Sequence, residues 1–505
     1  WNMAQFYQQA GIDAFITQKI GWNEVNVFPH RVFWWEGPNG SRILTYFPFD
    51  YVSTVDDPLQ FADQLRQFEA NTGFRNMLVL FGVGDHGGGP NNEMLERIER
   101  FKTLPVYPAV KYGTASEYLE WIKKQDLSNI PVWKDELYLE YHQGTFTTQA
   151  KMKEYNRKLE TLLSTSEKFS SIATLFGSSY RQSQLERAWK EVLFNQFHDI
   201  LPGSSIRENY IDATKRYKQA EEIGEHELRS ALTAIATQVD TRKVRLGRPI
   251  VVFNPLSWER TDVVTLHLPG EENDPYAIFD LDGKQVSSQI VSTGTYTRDI
   301  LFVAVQVPAT GYKVYELRKT KPLAPSSGLK TTTLQIENQY YRVTIHPDSG
   351  WVKSVFNKAD NRELLAGPGN ELQILEDKPR EWDAWNIGLT GTRWYPKVLG
   401  SEILENGPVR AILRVRLSYL NPNIKKEFPT VDFPSTFFTQ DVILYSGINR
   451  LDFKTTVDWW EDKTMLKVAF PLAVSDTVAT YEIPYGHITR PVEHERKWER
   501  GRIEV

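Results

Sequence analysis

Residues 185–203 read Leu185-Glu186-Arg187-Ala188-Trp189-Lys190-Glu191-Val192-Leu193-Phe194-Asn195-Gln196-Phe197-His198-Asp199-Ile200-Leu201-Pro202-Gly203, and this stretch decides the fold. Leu185, Ala188, Trp189, Val192, Leu193 and Phe197 follow one another at steps of 3, 1, 3, 1 and 4, the single-face repeat of an amphipathic helix. Leu201-Pro202-Gly203 then stops the helix, and Ile206, Tyr210, Ala213, Tyr217 and Ala220 resume the same period. Two or three antiparallel helices pack together here, in a helical block from Gln149 to about Val239.

The pattern changes on either side of this block. Over the first ~120 residues, short β-rich runs (Ala14 to Thr17, Arg42 to Phe47, Asn76 to Val83) alternate with the amphipathic run Leu59 to Ala70, an α/β signature. From Ile250 onward the chain reads as β: Ile250 to Phe253, Val263 to Leu266, Tyr341 to Ile345 and Ala411 to Val415 lie between Gly, Pro, Asn and Asp clusters. Lys321 to Gly328, with two prolines and two serines, is the natural linker between an early β module and a larger sandwich.

The 505 residues suggest about three domains at roughly 150 residues each. Lys plus Arg is 59 against 64 for Asp plus Glu, a net charge of -5 that offers no basic excess to a phosphate backbone, so nucleic acid is not an expected partner. Cysteine is absent, which removes disulfides, thiolate metal sites and cysteine nucleophiles together and leaves His, Asp and Glu as metal donors. The longest apolar runs, such as Met77 to Gly84, fall short of the ~18 residues a bilayer requires, and no leader pattern opens the sequence. A soluble, cytoplasmic protein without membrane contact is expected.

Three constellations could carry chemistry. Phe81 to Pro90 is glycine-rich and follows an apolar strand; Gly82, Gly84 and Gly87 satisfy G-x-G-x-x-G literally. Against a dinucleotide site, Asp85 would face an anionic pyrophosphate, and the next β-like run, Val106 to Tyr112, ends without the acidic residue that reads a ribose. Asp85 therefore reads as a sugar-hydroxyl ligand or proton carrier, with a turn-forming aspartate as the bland alternative. The second constellation is the adjacent imidazole and carboxylate His198-Asp199 at the helix end. Its spacing from Phe194 allows His198 to point inward, as a metal ligand or as a satisfied core histidine. The third is Trp22, Trp34 and Trp35 with Asn23, Asn26 and His30, a composition suited either to stacking and reading a sugar or to core packing. His346-Pro347-Asp348, followed by Ser349-Gly350, is a hairpin turn rather than a metal pair.

In order along the chain, Ala10 to Asp13 with Thr17 to Asn23, Phe28 to His30 with Phe33 to Gly37 and Gly40 to Arg42, the Gly84-Asp85 loop, Glu136 to Thr145 and Asn195 to Gly203 form one series of motifs. Val252 to Trp258, Glu376 to Pro379 with Trp382 to Trp385, and Val457 to Trp459 with Lys467 to Pro471 extend it. The series resembles the retaining α-mannosidases of glycoside hydrolase family 38 over essentially the whole sequence.

That resemblance implies part of a seven-stranded β/α barrel (1–122), a three-helix bundle (123–240), a small β domain (241–325) and a large β-sandwich (326–505), hence α/β plus all-α plus all-β. It also implies one zinc ion, with cobalt or another divalent metal as substitutes. By match to the family pattern, His198 is a metal ligand, Asp85 the general acid/base, and Asp199 and Lys19 contact the sugar. The family's His-x-Asp pair and nucleophilic Asp precede the block that begins here at Trp1, and the last residues resemble an interior family segment. The expectation is accordingly an internal fragment of a zinc-dependent retaining α-mannosidase acting on oligosaccharides, inactive by itself. Homo-oligomerisation stays open. The rival expectations are a non-catalytic carbohydrate-binding or scaffold fragment of the same fold and a deacetylase-like metal hydrolase.

Overall fold

The computed structural model describes residues 1–23, 26–52, 55–84, 88–269, 275–292, 297–322, 328–427, 430 and 433–492. The chain divides into two compact units, Trp1–Gln143 together with the segment from Ser475, and Gly144–Val474. Among the described residues no helix is long and apolar enough to cross a membrane.

The first unit is built on a mixed four-stranded sheet of β1 (Ala14–Ile16), β2 (Val32–Glu36), β3 (Arg42–Tyr46) and β6 (Val132–Trp133), in the order β1-β3-β2-β6. β1 and β6 run parallel to their neighbours, whereas β2 and β3 form an antiparallel hairpin. A separate parallel pair, β4 (Tyr51–Val52) with β5 (Leu80–Phe81), carries the glycine loop. The described sheets do not close into a barrel. One sheet face buries Phe33, Trp35, Ile43 and Phe47, and the other Val32, Leu44 and Tyr46 against Phe68 and Ile122. Burial on both faces explains why β2 and β3 read as continuous apolar runs.

Phe68 is brought to this core by α2 (Pro58–Thr72), which Asp57 caps by accepting from the Leu59 amide at 2.8 Å and which ends at left-handed Gly73. A hairpin of Val478–Ile483 and Gly486–Pro491 belongs to the same unit. It is held by an Asn2 side-chain bond to the Pro484 carbonyl at 2.8 Å and by an ion pair between Arg490 and Glu136.

The second unit begins with three helices, α5 (Ala150–Thr174), α6 (Gln182–Asn195) and α7 (Arg207–Ala236). They share a core of Leu159, Leu163, Ala188, Val192, Tyr210, Ala213, Tyr217 and Ala220. Here the sequence period holds for α7, but Leu193 and Phe197 are more than half exposed. The buried stripe of α6 is thus narrower than the apolar stripe. Gly224 permits close helix approach, since a β-carbon there would lie 2.9 Å from Leu163.

The β half follows. A module of Arg248–Asn254, Arg260–Pro269, Thr297–Val307 and Gly311–Arg318 buries Ile278, Ile300, Phe302 and Tyr315. Beyond it, long antiparallel strands Lys397–Asn406, Arg410–Tyr419, Thr436–Tyr445 and Leu451–Asp458 pair in consecutive order. They pack on the five-stranded sheet that contains Tyr341–Ile345 and Val352–Asn357. His346 sits in the turn joining those two strands, its amide donating to Trp351 and its carbonyl accepting from Gly350, as a hairpin demands. Of the expected linker, 323–327 lie outside the described residues.

Candidate functional site

In the first unit, the single 3-10 turn Lys19–Trp22 follows β1 and sets the Lys19 ammonium 3.7 Å from the centroid of the Trp22 ring and 5.2 Å from that of Tyr51. Trp22 meets Tyr51 edge-on at 6.2 Å, and Tyr141 and His142 at 6.4 and 5.8 Å. A cation over the face of an indole is held by the ring quadrupole, worth about 0.5–2 kcal/mol depending on solvation.

The glycine loop reaches this nest through Gly84, where a β-carbon would fall 2.5 Å from the Tyr51 ring. Its neck is pinned by the Val83 amide donating to Gly89 at 3.1 Å and by Gly82, whose φ of 138° suits only glycine. Asp85, the next residue after Gly84, lies outside the described residues with His86 and Gly87.

The asparagines once open to a sugar-reading role are buried and structural. Asn23 donates to the Tyr138 carbonyl at 2.9 Å and accepts from the Glu140 amide at 3.0 Å, and the Asn26 amide group donates to the Glu140 carboxylate at 2.7 Å. This lattice fastens the 17–26 segment to residues 138–142, which brings Tyr141 and His142 to Trp22. Trp35 is core, its indole donating to the Asp135 carbonyl at 2.8 Å. His30 lies among Phe28, Phe33 and Trp133, and burial pushes its pKa down. Of the aromatic constellation, Trp22 is the member that joins Lys19.

In the second unit, α6 stops at Asn195, and His198 and Asp199 sit in the following turns. The inward-pointing histidine expected from helical spacing is not what the chain builds: helical geometry ends three residues earlier, and the His198 side chain is 79% exposed. Its Nε2 is 3.5 Å from the Asp199 carboxylate, and its ring lies against Phe197 at 4.3 Å.

The turn is fixed from below. Gly203 has φ 90°, and a β-carbon there would fall 2.2 Å from the Thr148 carbonyl oxygen. Asn195 is fully buried and donates to the Ala213 carbonyl at 2.9 Å, tying α6 to α7. A cleft of about 540 Å³ opens beside the turn, lined among others by Asn195, Phe197, Asp199, Ser204, Asn209 and Arg216. Asn195 Oδ1 and Ser204 Oγ are buried without a hydrogen-bond partner among the described residues, a cost of about 1–3 kcal/mol each in a dry interior. Such a wall, polar groups interleaved with an aromatic ring, suits a hydroxyl-rich ligand.

Lys19 and the glycine loop therefore meet within one unit, and His198 and Asp199 within the other. Among the described residues no group of three or more His, Asp or Glu side chains could hold a metal ion. His198 and Asp199 supply two donors, whereas a zinc site takes three or four protein ligands, so these residues do not by themselves make a zinc site.

Sequence reasoning passed over the Lys378–Gly388 loop of the β half as a site. Its Asp377 carboxyl is pushed up by burial, assisted by the neighbouring Asp383 charge, and accepts from the Gly388 amide at 2.7 Å. The tryptophans flanking Asp383 were the available signal.

Comparison with known proteins gives three matches in chain order. Residues 1–136 match the glycosyl hydrolases family 38 N-terminal domain, 140–235 the alpha mannosidase middle domain, and 336–505 the glycosyl hydrolases family 38 C-terminal domain. Alpha-mannosidase 2C1 of Mus musculus is 30% identical over all of this chain, and an alpha-mannosidase of Saccharomyces cerevisiae 27%. The chain spans 45% and 43% of the lengths of those two relatives. The crystal structure of an alpha-mannosidase from Enterococcus faecalis V583 superposes on 99% of this chain with a TM-score of 0.77 at 19% identity, a likeness of fold, and the match covers 64% of that chain.

Proposed function

We propose, from the premise that this chain belongs to glycosyl hydrolase family 38, that the full-length protein hydrolyses terminal α-linked mannose from oligosaccharides with retention of configuration, residues 1–505 by themselves being inactive. The observation that carries the reading is the occurrence of the three domain matches in chain order, with both candidate regions inside matched segments. In a retaining glycosidase one carboxylate attacks the anomeric carbon while a second carboxyl group, roughly 5 Å away, protonates the leaving oxygen and then activates water.

Asp85 takes the acid/base role. That role requires a carboxyl held protonated at the working pH, as a dehydrating pocket does. Lys19, held on Trp22, is a donor for sugar hydroxyls. Asp199, about half exposed at the cleft of the second unit, is an acceptor for sugar hydroxyls. The nucleophile is assigned to no residue of this chain. Zinc stays an implication of the family resemblance, with His198 as this chain's one imidazole for it, and no step here is routed through the ion. The cytoplasmic setting expected from the absence of cysteine belongs to the same proposal.

Release of 4-nitrophenol from its α- and β-mannosides by the full-length protein tests the reading, residues 1–505 alone being expected to show little or no turnover. Turnover of the α-anomer alone is expected; preference for the β-anomer would overturn it. Binding of α-mannosides without any turnover would favour the carbohydrate-binding alternative.

A further inference from the structure

Trp382 combines two properties that Val106 and Tyr485 also combine, and it is the tryptophan of the three. Its ring is 58% exposed, and its backbone sits at φ 61°, in the left-handed region, where a bulky side chain is a genuine outlier that costs about 1–3 kcal/mol unless its surroundings impose it. Here they do. The loop joins strands Glu371–Asp377 and Leu389–Trp394 and is closed at its base by the Lys378 amide donating to Gly388 at 2.8 Å. Gly388 in turn crowds Pro379 so closely that a β-carbon would lie 2.4 Å from the proline Cα. At the tip the Trp382 carbonyl accepts from both the Trp385 and Asn386 amides at 2.9 Å, and the Asn386 side chain donates to the Glu381 carbonyl at 2.9 Å. Trp385 meets Trp382 edge-on at 5.9 Å and 88°, which fixes the ring plane.

A packing residue would bury its indole, and a plain turn residue at this φ would be Gly or Asn. This loop instead strains its backbone to hold an indole in solvent, with Glu381 and Asp383 as its neighbours in sequence. Exposed Trp460, by contrast, is not among the residues with positive φ, and its indole donates to Asp458 at 2.7 Å.

The loop also has a fixed neighbour. The Gly144 amide donates to the Trp385 carbonyl at 2.8 Å, and the Thr148 hydroxyl to that of Ala384 at 3.1 Å. The Thr148 carbonyl is the atom against which Gly203 is packed. The loop that carries Trp382 and the turn that carries His198 and Asp199 are thus both tied to the Gly144–Thr148 segment, within one compact unit. We propose that Trp382 is the stacking platform of a saccharide subsite, its face taking the C–H surface of a pyranose one unit along the glycan from the ring contacted at Asp199, with Glu381 and Asp383 receiving its hydroxyls. This inference rests on the mannosidase reading above.

The test is calorimetric titration of the purified protein with methyl α-mannoside and with α-linked mannotriose, comparing wild type with Trp382→Gly, Trp382→Phe and Trp460→Ala. Trp382→Gly should weaken mannotriose binding about tenfold, the loss typical of removing an aromatic anchor. It should leave methyl α-mannoside binding unchanged and the melting temperature the same or higher, because glycine relieves the φ strain. Trp382→Phe should retain most of the affinity, and Trp460→Ala all of it. Wild-type affinity for mannotriose in Trp382→Gly, equal loss for both ligands, or no mannotriose binding by wild type would each overturn the inference. Aryl α-mannoside turnover by the full-length protein separates the cases: if it is present while Trp382→Gly binds mannotriose normally, the subsite fails and the mannosidase reading stands.

Discussion

Gly84 and Gly203 stand beside the two halves of the candidate chemistry, and neither has room for a side chain, yet their neighbours differ in kind. At Gly203 the obstacle is the Thr148 carbonyl oxygen, a piece of backbone that cannot rotate away. At Gly84 it is the ring of Tyr51, which can swing aside only by leaving Trp22 and disturbing the seat of Lys19. The bundle end is therefore held rigidly and shows its groups to solvent, whereas the glycine loop is held through side chains whose arrangement is itself part of the candidate site. A defect at the first should appear as lost stability, and a defect at the second as a misplaced cation.

Substitutions can break this contrast. Gly203→Ala carries the largest expected effect, about 3 kcal/mol or more of destabilisation from backbone overlap plus an unfavourable φ, read as a lower denaturation midpoint. Gly84→Ala should cost less, about 1–3 kcal/mol, because a ring can yield where a carbonyl cannot. Its signature is altered near-ultraviolet circular dichroism from the Tyr51 and Trp22 rings. Lys19→Met should cost about 0.5–1 kcal/mol of stability, the price of one cation–π contact, while raising KM for α-mannosides.

Two further predictions sharpen the picture of the bundle end and the loop docked near it. The Asp377 carboxyl has its pKa raised by burial, so its contribution to stability is fully present below the ordinary aspartate pKa of ~4 and is lost as pH rises through the higher folded value. Asp377→Asn should remove that slope from stability measured across the acid range. His198→Ala should change stability by no more than about 0.5 kcal/mol, since the side chain is exposed. Under the proposed function it should nevertheless abolish most activity, and a large loss of stability would instead mark His198 as a packing residue.

Legibility in the sequence followed how much of each element's environment its own residues supply. Ala411 to Val415 and Tyr341 to Ile345 fall inside long or consecutively paired strands whose partners are their chain neighbours, so local pattern sufficed. The helical period of α7 was readable for the same reason, each buried residue recurring on one face. Asn76 to Val83 reads as a strand, and among the described residues its pairing is that of Leu80–Phe81 with Tyr51–Val52. Met77 and Leu78 pack on the core around Tyr46 and Phe68 outside any strand.

Phe197 follows the apolar period of α6 yet lies beyond the helix end, a boundary the period does not announce. For the site, residue types pointed to Lys19, His198 and Asp199, and the structure supplied what pattern does not: the Trp22 seat of Lys19, the exposure of His198, and the burial of Asn23 and Asn26. At the Trp382 loop the sequence offered only the two tryptophans flanking Asp383, because strain at φ 61° and solvent exposure are properties of a fold, not of a motif.

The most direct measurement is the stereochemistry of the first product, followed by proton NMR as the full-length protein hydrolyses an aryl α-mannoside. α-Mannose should appear first, with the β-anomer growing in only by mutarotation. β-Mannose as the initial product would contradict the retaining mechanism and the acid/base role given to Asp85.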